Sequence, residues 1–340
     1  MRITIAVAVS AALLAGCGTM GPYKGQSTSA ELDVQQKEAP VMGKVDLKVS
    51  SDKNFGDADT IFVPTLIIKI PYEGKVSASQ QGSALSGIGR SGGSNSVRAS
   101  AKFAVKGLDK ELAQAIAKDA YDDLVAKLRA AGYKVLTWDD VKGLEWAQKI
   151  KAQDVDQAYG LPTEDGHLIA APSDAQAIKP GFGGNYGSPF TSFGKPFYTP
   201  KATMYIPIMT LVAPQVWGVG RSGFGSISAA VNAAAGMNLQ SAGLAIATYG
   251  GGWGGAQIKH PVNNISTNVG TLIKEDTTST AGNAFSKGLS MLTGAGSITG
   301  ASASYTLTVD KALYKEGALK GIKMFNDEVA KVAAAAKKAS

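Results

Sequence analysis

The chain of 340 residues contains a single cysteine, Cys17, close to its amino terminus. A thiolate is a strong nucleophile, so a lone cysteine with suitable flanking residues is a candidate for covalent modification. Before it lie a basic residue, Arg2, and an uncharged, mostly apolar stretch from Ile3 to Leu14. This arrangement is typical of a secretory signal peptide, and the stretch is too short for a permanent membrane-spanning helix. We therefore predict that residues 1–16 are a signal peptide.

The residues Leu14-Ala15-Gly16-Cys17 resemble the lipobox of bacterial lipoproteins. The resemblance implies that a signal peptidase cuts before Cys17 and that the cysteine sulfur carries a diacylglycerol. Two acyl chains anchor a protein stably, because each buried methylene contributes about 0.8 kcal/mol. Gly18 stands where an aspartate would retain such a protein at the inner membrane of Gram-negative bacteria. The resemblance therefore implies an outer-membrane anchor and a periplasmic domain. An ordinary signal peptide with another cleavage site is the alternative.

A second candidate for chemistry is Ser91, in a Gly-Arg-Ser-Gly-Gly sequence that fits the G-x-S-x-G pattern of hydrolases. That pattern works when a strand, a turn and a helix expose the serine to a histidine base, and only His167 and His260 exist as bases. The residues before Ser91 form a poor strand, so we predict no catalytic residue and no enzyme activity. A lipid-anchored serine hydrolase using Ser91 is the alternative. Two histidines and one modified cysteine are too few for a zinc site, and we predict neither metal nor cofactor.

The sequence G-[I/V]-G-R-S-G occurs twice, at residues 87–92 and 218–223, and each copy also fits G-x-G-x-x-G. A dinucleotide site needs such glycines between a strand and a helix, followed by an acidic residue about 20 positions later. The first copy lies in a polar loop and the second has no acidic residue at that spacing, so we expect no nucleotide binding. The sharper interpretation is a duplicated loop or hairpin tip that presents Arg90 and Arg221 to a partner or to lipid head groups. Coincidence in a chain with 41 glycines is the alternative.

The charge and the aromatic residues suggest kinds of partner. The net charge of +7 is diffuse, which favours contact with anionic lipid or another polyanionic surface over nucleic-acid binding. Trp217, Trp253 and the aromatic residues of 182–198 could stack on a cell-envelope polymer, although filling of core and loops explains them too. We therefore take Arg90, Arg221, Trp217 and Trp253 as candidate partner contacts.

The elements that must position these residues include one well-defined helix at 109–131. Asp109 is a good helix cap, and Gly132 supplies the left-handed residue that often ends a helix. A stripe of apolar residues repeats every four positions and should pack on a sheet. The stripe consists of Leu112, Ile116, Ala120, Leu124 and Leu128.

The remaining elements are mostly short strands. Pro64 within the first strand suggests a sheet edge or a bulge. Residues 222–258 carry no charged side chain but are too rich in glycine for a membrane helix, so we expect strand pairs or loops there. The predicted strands are 60–70, 133–138, 166–172, 203–213 and 305–309, with a short helix over 139–150 and a final helix after Asp310 whose apolar residues are Ile322, Phe325, Val329 and Val332.

These patterns predict a chain with three parts. Residues 1–16 are the signal peptide, 17–43 are a lipidated amino terminus and flexible tether, and 44–340 are one periplasmic domain with a Gly/Ala-rich insertion at about 214–300. Strands and helices do not alternate regularly, so we predict an α+β fold in which helices pack on a mixed or mostly antiparallel sheet with long Gly-rich loops.

The order of elements over about residues 60–330 resembles that of curli-secretion-channel-type periplasmic lipoproteins, and it is similar to the amino-terminal domain of the Tol-system propeller protein. The resemblance implies a non-enzymatic component of envelope assembly, secretion or a surface structure. It also implies an envelope protein partner or a homo-oligomer. Only Cys17 corresponds to a family residue. A module that binds a cell-envelope polymer is a further alternative.

Overall fold

The structure is a computed structural model that describes residues 27–31, 43–50, 55, 59–81, 96–145, 166–172, 202–223, 226–248, 253–276 and 298–339. Helices occur together with mixed and antiparallel sheets in these ranges, which confirms the predicted α+β class. The elements are β1 (Ser27–Glu31), β2 (Leu47–Ser50), β3 (Thr60–Phe62), β4 (Ile67–Pro71), β5 (Glu73–Gln81), β6 (Ser96–Lys106), α1 (Lys110–Ala130), β7 (Lys134–Leu136), α2 (Trp138–Val141), β8 (His167–Ala170), β9 (Thr203–Val212), β10 (Gln215–Gly223), β11 (Ser226–Ala234), β12 (Met237–Ala247), β13 (Trp253–Ile258), β14 (Val262–Ser266), β15 (Gly270–Asp276), β16 (Ile298–Val309) and α3 (Lys311–Ala339).

Nine strands form the main sheet of the protein. Its strand order is β2-β13-β12-β9-β3-β7, with β4 beside β9, β8 beside β4 and β14 beside β12. Strand β9 is central and is buried on both faces, which explains why its sequence is almost continuously apolar. Tyr205 and Met209 belong to the larger core on one face, and Met204, Ile206 and Ile208 to a smaller core on the other.

The strand predicted at 60–70 is interrupted by a bulge at Pro64. Both β3 and β4 pair in parallel with β9, where Phe62 faces Met204 and Ile67 faces Ile208. Phe62 and Ile67 are five residues apart, whereas their partners Met204 and Ile208 in β9 are four residues apart. The segment that joins β3 to β4 therefore holds one extra residue. The prediction of a bulge is confirmed. These strands are not a sheet edge, because β7 lies beyond β3 and β8 lies beyond β4.

Helix α1 matches its prediction closely. The side chain of Asp109 accepts a hydrogen bond from the Leu112 N–H at 2.9 Å, and Gly132 has φ of +89° just after the helix ends. All five residues of the predicted stripe are buried. They pack against α3 and against β4, β7 and β8.

Helix α3 lies unusually close to strand β14 because two of its residues are glycines. A Cβ atom on Gly317 would come within 2.7 Å of Ser266 Cβ, and one on Gly321 within 2.6 Å of Ile265 Cδ1. The predicted apolar residues Ile322, Phe325 and Val329 are fully buried and Val332 is partly buried.

Helix α2 is shorter than predicted. Thr137 and Asp140 form a capping box at its start, with the Thr137 N–H donating to Asp140 Oδ2 at 2.7 Å. The predicted helix to residue 150 is interrupted after Val141, because the chain turns at Lys142 and Gly143 before Glu145 is helical again. Glycine disfavours helix continuation. Residues 146–150 lie outside the described residues.

Three hairpins, β5/β6, β10/β11 and β15/β16, together with β1, form what we call the hairpin arm. A four-stranded sheet of order β15-β16-β6-β5 packs against a three-stranded sheet of order β1-β11-β10. The hairpins share a base at the main body, since Lys106 of β6 faces Thr308 of β16 and the Val269 N–H donates to the Ala235 carbonyl at 2.7 Å. The expectation of strand pairs or loops over residues 222–258 is confirmed, because β11 pairs with β10 and β13 pairs with β12 there.

The stretch predicted as a tether contains strand β1. This strand pairs in parallel with β11, and Ser27 faces Ser226. Ser226 is also the residue that faces Gly223, the last pair before the tip of the β10/β11 hairpin. The amino-terminal end of β1 therefore lies at the free end of the hairpin arm, away from the common base.

Candidate functional site

Several predicted site residues lie outside the described residues, namely Cys17, Arg90 and Ser91. Arg221 is in β10, where its backbone faces Ser228 near the free end of the hairpin arm. Trp253 is the first residue of β13 and faces Ala247. In their strand pairs, neither Arg221 nor Trp253 lies opposite another predicted site residue of the described part of the chain.

The second of the two glycine motifs belongs to a hairpin. The second copy, Gly218 to Gly223, forms the outer part of β10 and is followed by another strand, β11. The strand-to-helix context that a dinucleotide site needs is therefore missing at this copy. The first copy lies in the chain between the paired strands β5 and β6, within 82–95 and outside the described residues. The second copy therefore lies near the tip of a hairpin, and the position of the first copy stays a prediction.

Trp217 is partly buried in β10. Its indole Nε1 is buried and has no hydrogen-bond partner within the described part of the chain. A stacking platform for a polymer needs an exposed ring face, so this geometry favours packing for Trp217.

The two histidines lie far apart. His167 is partly buried at the start of β8, opposite Pro71, whereas His260 is exposed just after β13. Strands β13 and β8 are separated by β12, β9 and β4, which corresponds to about 19 Å across the sheet at the usual strand spacing. The histidines therefore do not share a site.

The described residues form an open groove of about 530 Å³ on the face of the main sheet that α1 and α3 do not cover. Its floor is the outward face of β2, β13 and β12. Because side chains alternate across a strand, every second residue of these strands points into the groove while the residues between them join the larger core. The floor residues are Lys48, Ser50, Ser241, Gly243, Ala245, Gly255 and Gln257.

Most of the floor residues are small, which leaves room for the groove. A Cβ atom on Gly255 would lie 2.8 Å from the Leu244 carbonyl oxygen, so the close approach of β13 and β12 requires glycine there. The hydroxyl of Ser50 donates to the Gly255 carbonyl at 3.2 Å, and Ser241 Oγ is 3.0 Å from Thr210 Oγ1. These contacts fix the hydroxyl groups along the floor.

The charges at the groove are basic. Lys48 and His260 are exposed, and Lys259 Nζ lies 3.0 Å from Asp46 Oδ2 in an exposed ion pair. The lining residues supply amines, an imidazole, amides and hydroxyl groups, and they include no carboxylate. The groove therefore suits hydrogen bonding to an anionic or carbonyl-rich ligand, and it lacks a carboxylate to pair with His260.

The groove was not predicted from the sequence. The signal that could have revealed it is the alternation of small with apolar residues in β12, since Ser241, Gly243 and Ala245 alternate with Ala242, Leu244 and Ile246. We interpreted the Gly/Ala-rich composition only as evidence for strand pairs or loops.

The groups whose pKa values are shifted lie elsewhere. A hydrogen bond from Lys311 and another from the Leu112 N–H lower the pKa of Asp109. The pKa of Asp140 is lowered by hydrogen bonds from the backbone and the side chain of Thr137. Both carboxylates lie at helix starts, and their roles are structural.

Among the described residues, no three His, Cys, Asp or Glu side chains converge as they would around a metal ion. Within the same ranges, no helix has both the length and the hydropathy of a membrane span. Comparison of the chain with family profiles, curated proteins and solved structures gives no match.

Proposed function

We propose that the protein is a lipoprotein, anchored in the outer membrane through Cys17, whose folded body faces the periplasm. It acts as a non-enzymatic component of envelope assembly, secretion or a surface structure. The observation that carries this proposal is the sequence Leu14-Ala15-Gly16-Cys17, preceded by Arg2 and an uncharged apolar stretch. Position, spacing and flanking residues all agree with lipidation of the cysteine.

The position of β1 supports a particular arrangement on the membrane. Ser27 lies at the free end of the hairpin arm, opposite Ser226. The chain from Cys17 to Ser27 reaches at most about 36 Å, since an extended chain spans up to about 3.6 Å per residue. A lipid on Cys17 would therefore hold the free end of the arm near the membrane.

The groove on the main sheet supports a role in binding a partner. The groove above β2, β13 and β12 is open, and among its mostly apolar lining residues the polar ones offer hydrogen-bond donors without an acid–base pair. Open sheet faces with polar, hydrogen-bonding side chains suit recognition of another macromolecule. The groove is accordingly a candidate surface for an envelope partner.

Metabolic labelling tests the anchor. Cells expressing the wild-type protein should incorporate radioactive palmitate into it and retain it in the outer-membrane fraction. The Cys17→Ser variant should remain unlabelled and accumulate as the precursor. A Cys17→Ser protein that is processed and partitions into detergent like wild type would contradict the proposal.

A fluorophosphonate probe tests the competing hydrolase function. Such probes react with activated serine nucleophiles, and we expect no labelling of the wild-type protein. Labelling that disappears in Ser91→Ala, while Ser222→Ala remains labelled, would favour the hydrolase. Ser222 is the matched control, because it occupies the same position in the second G-[I/V]-G-R-S-G sequence.

A further inference from the structure

The outward face of strands β5 and β6 in the hairpin arm is basic. Arg98, Lys102 and Lys106 follow each other at every fourth residue of β6, so all three side chains project from the same face. Lys75 on β5 projects from that face as well, and all four side chains are exposed. We call these four residues the basic face. At the usual rise of about 3.4 Å per residue, it extends over about 27 Å from Arg98 to Lys106.

Two lysines of the basic face lie directly opposite each other. Lys75 and Lys102 are partners in the antiparallel register of β5 and β6. Side chains at such positions have Cβ atoms about 5 Å apart, and like charges there destabilise the sheet. Among the described residues, no carboxylate forms an ion pair with either lysine. The face therefore carries an excess of positive charge, four basic side chains against the exposed carboxylate of Glu73, which an external anion would balance.

The rest of this face carries mostly small hydroxyl side chains, together with the exposed carboxylate of Glu73 on β5 and the exposed side chain of Ile273 on β15. Ser77 faces Ser100, and Ser302 and Ser304 of β16 continue the row of small hydroxyl side chains beside β6. Strands β5, β6 and β16 place their only aromatic side chains, Phe103 and Tyr305, on the opposite face, where both are buried. Proteins that bind single-stranded nucleic acid combine basic grooves with exposed aromatic rings on which the bases stack. The basic face therefore suits a broad anionic surface better than nucleic acid.

We propose that the basic face docks on anionic phospholipid head groups, so that the hairpin arm lies along the membrane surface. The choice of a membrane over another polyanion rests on the lipid anchor proposed above. A lipid on Cys17 would hold the arm at a high effective concentration relative to the bilayer, so that even weak attraction suffices. Each basic residue near an anionic membrane surface strengthens binding by about fivefold.

Vesicle co-sedimentation tests this inference without the anchor. The protein is the mature chain from residue 17 with Cys17→Ser, and the vesicles are phosphatidylcholine with or without phosphatidylglycerol. We expect binding only to the anionic vesicles, weakening as salt is raised. The variant Lys75→Gln/Arg98→Gln/Lys102→Gln should bind about 100-fold more weakly. The matched control changes three exposed lysines of α3 and should bind like the parent; it is Lys320→Gln/Lys323→Gln/Lys338→Gln.

A single substitution separates docking from a structural role. Lys75→Glu places opposite charges across the strand pair, so it should raise the melting temperature while it weakens binding to anionic vesicles. Two results would overturn the inference: equal loss of binding in the basic-face and control variants, or binding of the parent to soluble heparin but not to anionic vesicles. Because these proteins carry no lipid, the outcome is independent of whether Cys17 is acylated in cells.

Discussion

At the residue scale, the buried tyrosines differ in whether their hydroxyl groups have a partner. The hydroxyl of Tyr205 donates to the Phe55 carbonyl at 2.9 Å, and that of Tyr121 to the Val63 carbonyl at 2.7 Å. The hydroxyl of Tyr314, in α3, is buried without a hydrogen-bond partner among the residues described. Burial raises the pKa of Tyr314, so its phenol stays neutral. The free-energy cost is therefore that of burying a polar hydroxyl group without a partner, not that of burying a charge.

Replacing these tyrosines by phenylalanine should have opposite effects on stability. Tyr314→Phe should raise the free energy of unfolding by about 1 kcal/mol, because it removes a buried group that has no partner. Tyr205→Phe should lower it by about 1 kcal/mol, because the Phe55 carbonyl loses its donor. Urea denaturation measures both changes. A loss of stability in Tyr314→Phe equal to that in Tyr205→Phe would show that the Tyr314 hydroxyl has a partner.

Asp109 contributes stability that depends on pH. Its pKa is lowered from the ordinary value of 3.8, first by the hydrogen bond from Lys311 and then by the N–H of Leu112. A carboxylate with a lowered pKa stabilises the fold at neutral pH, and this contribution disappears as the pH falls through the folded-state pKa.

Asp109→Asn should keep the helix cap but lose the ion pair with Lys311. Because this pair is largely exposed, we expect a loss of at most about 1 kcal/mol at pH 7. The difference from wild type should shrink below pH 3.8, and urea midpoints across that range would measure it. A difference that stays constant down to the lowest pH at which the protein folds would contradict the assigned role of the carboxylate.

At the element scale, α1 and α3 form a packed pair that covers one face of the main sheet. Lys127 Nζ lies 2.8 Å from Asp327 Oδ1, and Asn326 Nδ2 donates to the Ala120 carbonyl at 3.0 Å. These polar contacts flank buried apolar residues such as Leu124 of α1 and Phe325 of α3. The pair therefore depends chiefly on its apolar interior.

Shortening a side chain in this apolar interior should lower the free energy of unfolding. Leu124→Ala should lower the free energy of unfolding by about 2–5 kcal/mol, because it leaves a cavity beneath a fully buried side chain. Asp122→Lys on the exposed side of α1 removes only the ion pair with Lys118 and should cost less than about 1 kcal/mol. Thermal melting compares the two variants. Equal melting temperatures for Leu124→Ala and wild type would contradict the register of α1.

Local sequence patterns predicted individual helices and strands well, but they could not predict which of these elements pair or pack together. The cap at Asp109, the apolar spacing and Gly132 are all within one segment, so α1 was predictable nearly to the residue. The parallel pairing of β6 with β16 joins Ser96 to Ile298, far apart in the sequence, and no local pattern encodes it. For the same reason the packing of α1 on α3 and the pairing of β1 with β11 were not predicted.

At the scale of the whole molecule, the structure divides into a helix-covered main sheet and the hairpin arm. Of the candidate sites, the sequence indicated the hairpin position of the second glycine motif, but it did not indicate the groove or the basic face. Both surfaces depend on which residues of neighbouring strands face each other, such as Lys75 and Lys102. Register of this kind follows from tertiary pairing.

The intact mass of the protein purified from outer membranes in detergent tests the central proposal most directly. The account predicts a mature chain that begins at Cys17, lacks residues 1–16 and carries the added mass of a diacylglycerol. Proteolytic mapping should place that added mass on the peptide that contains Cys17. A mature chain with an unmodified Cys17, or one that begins after this residue, would contradict the account.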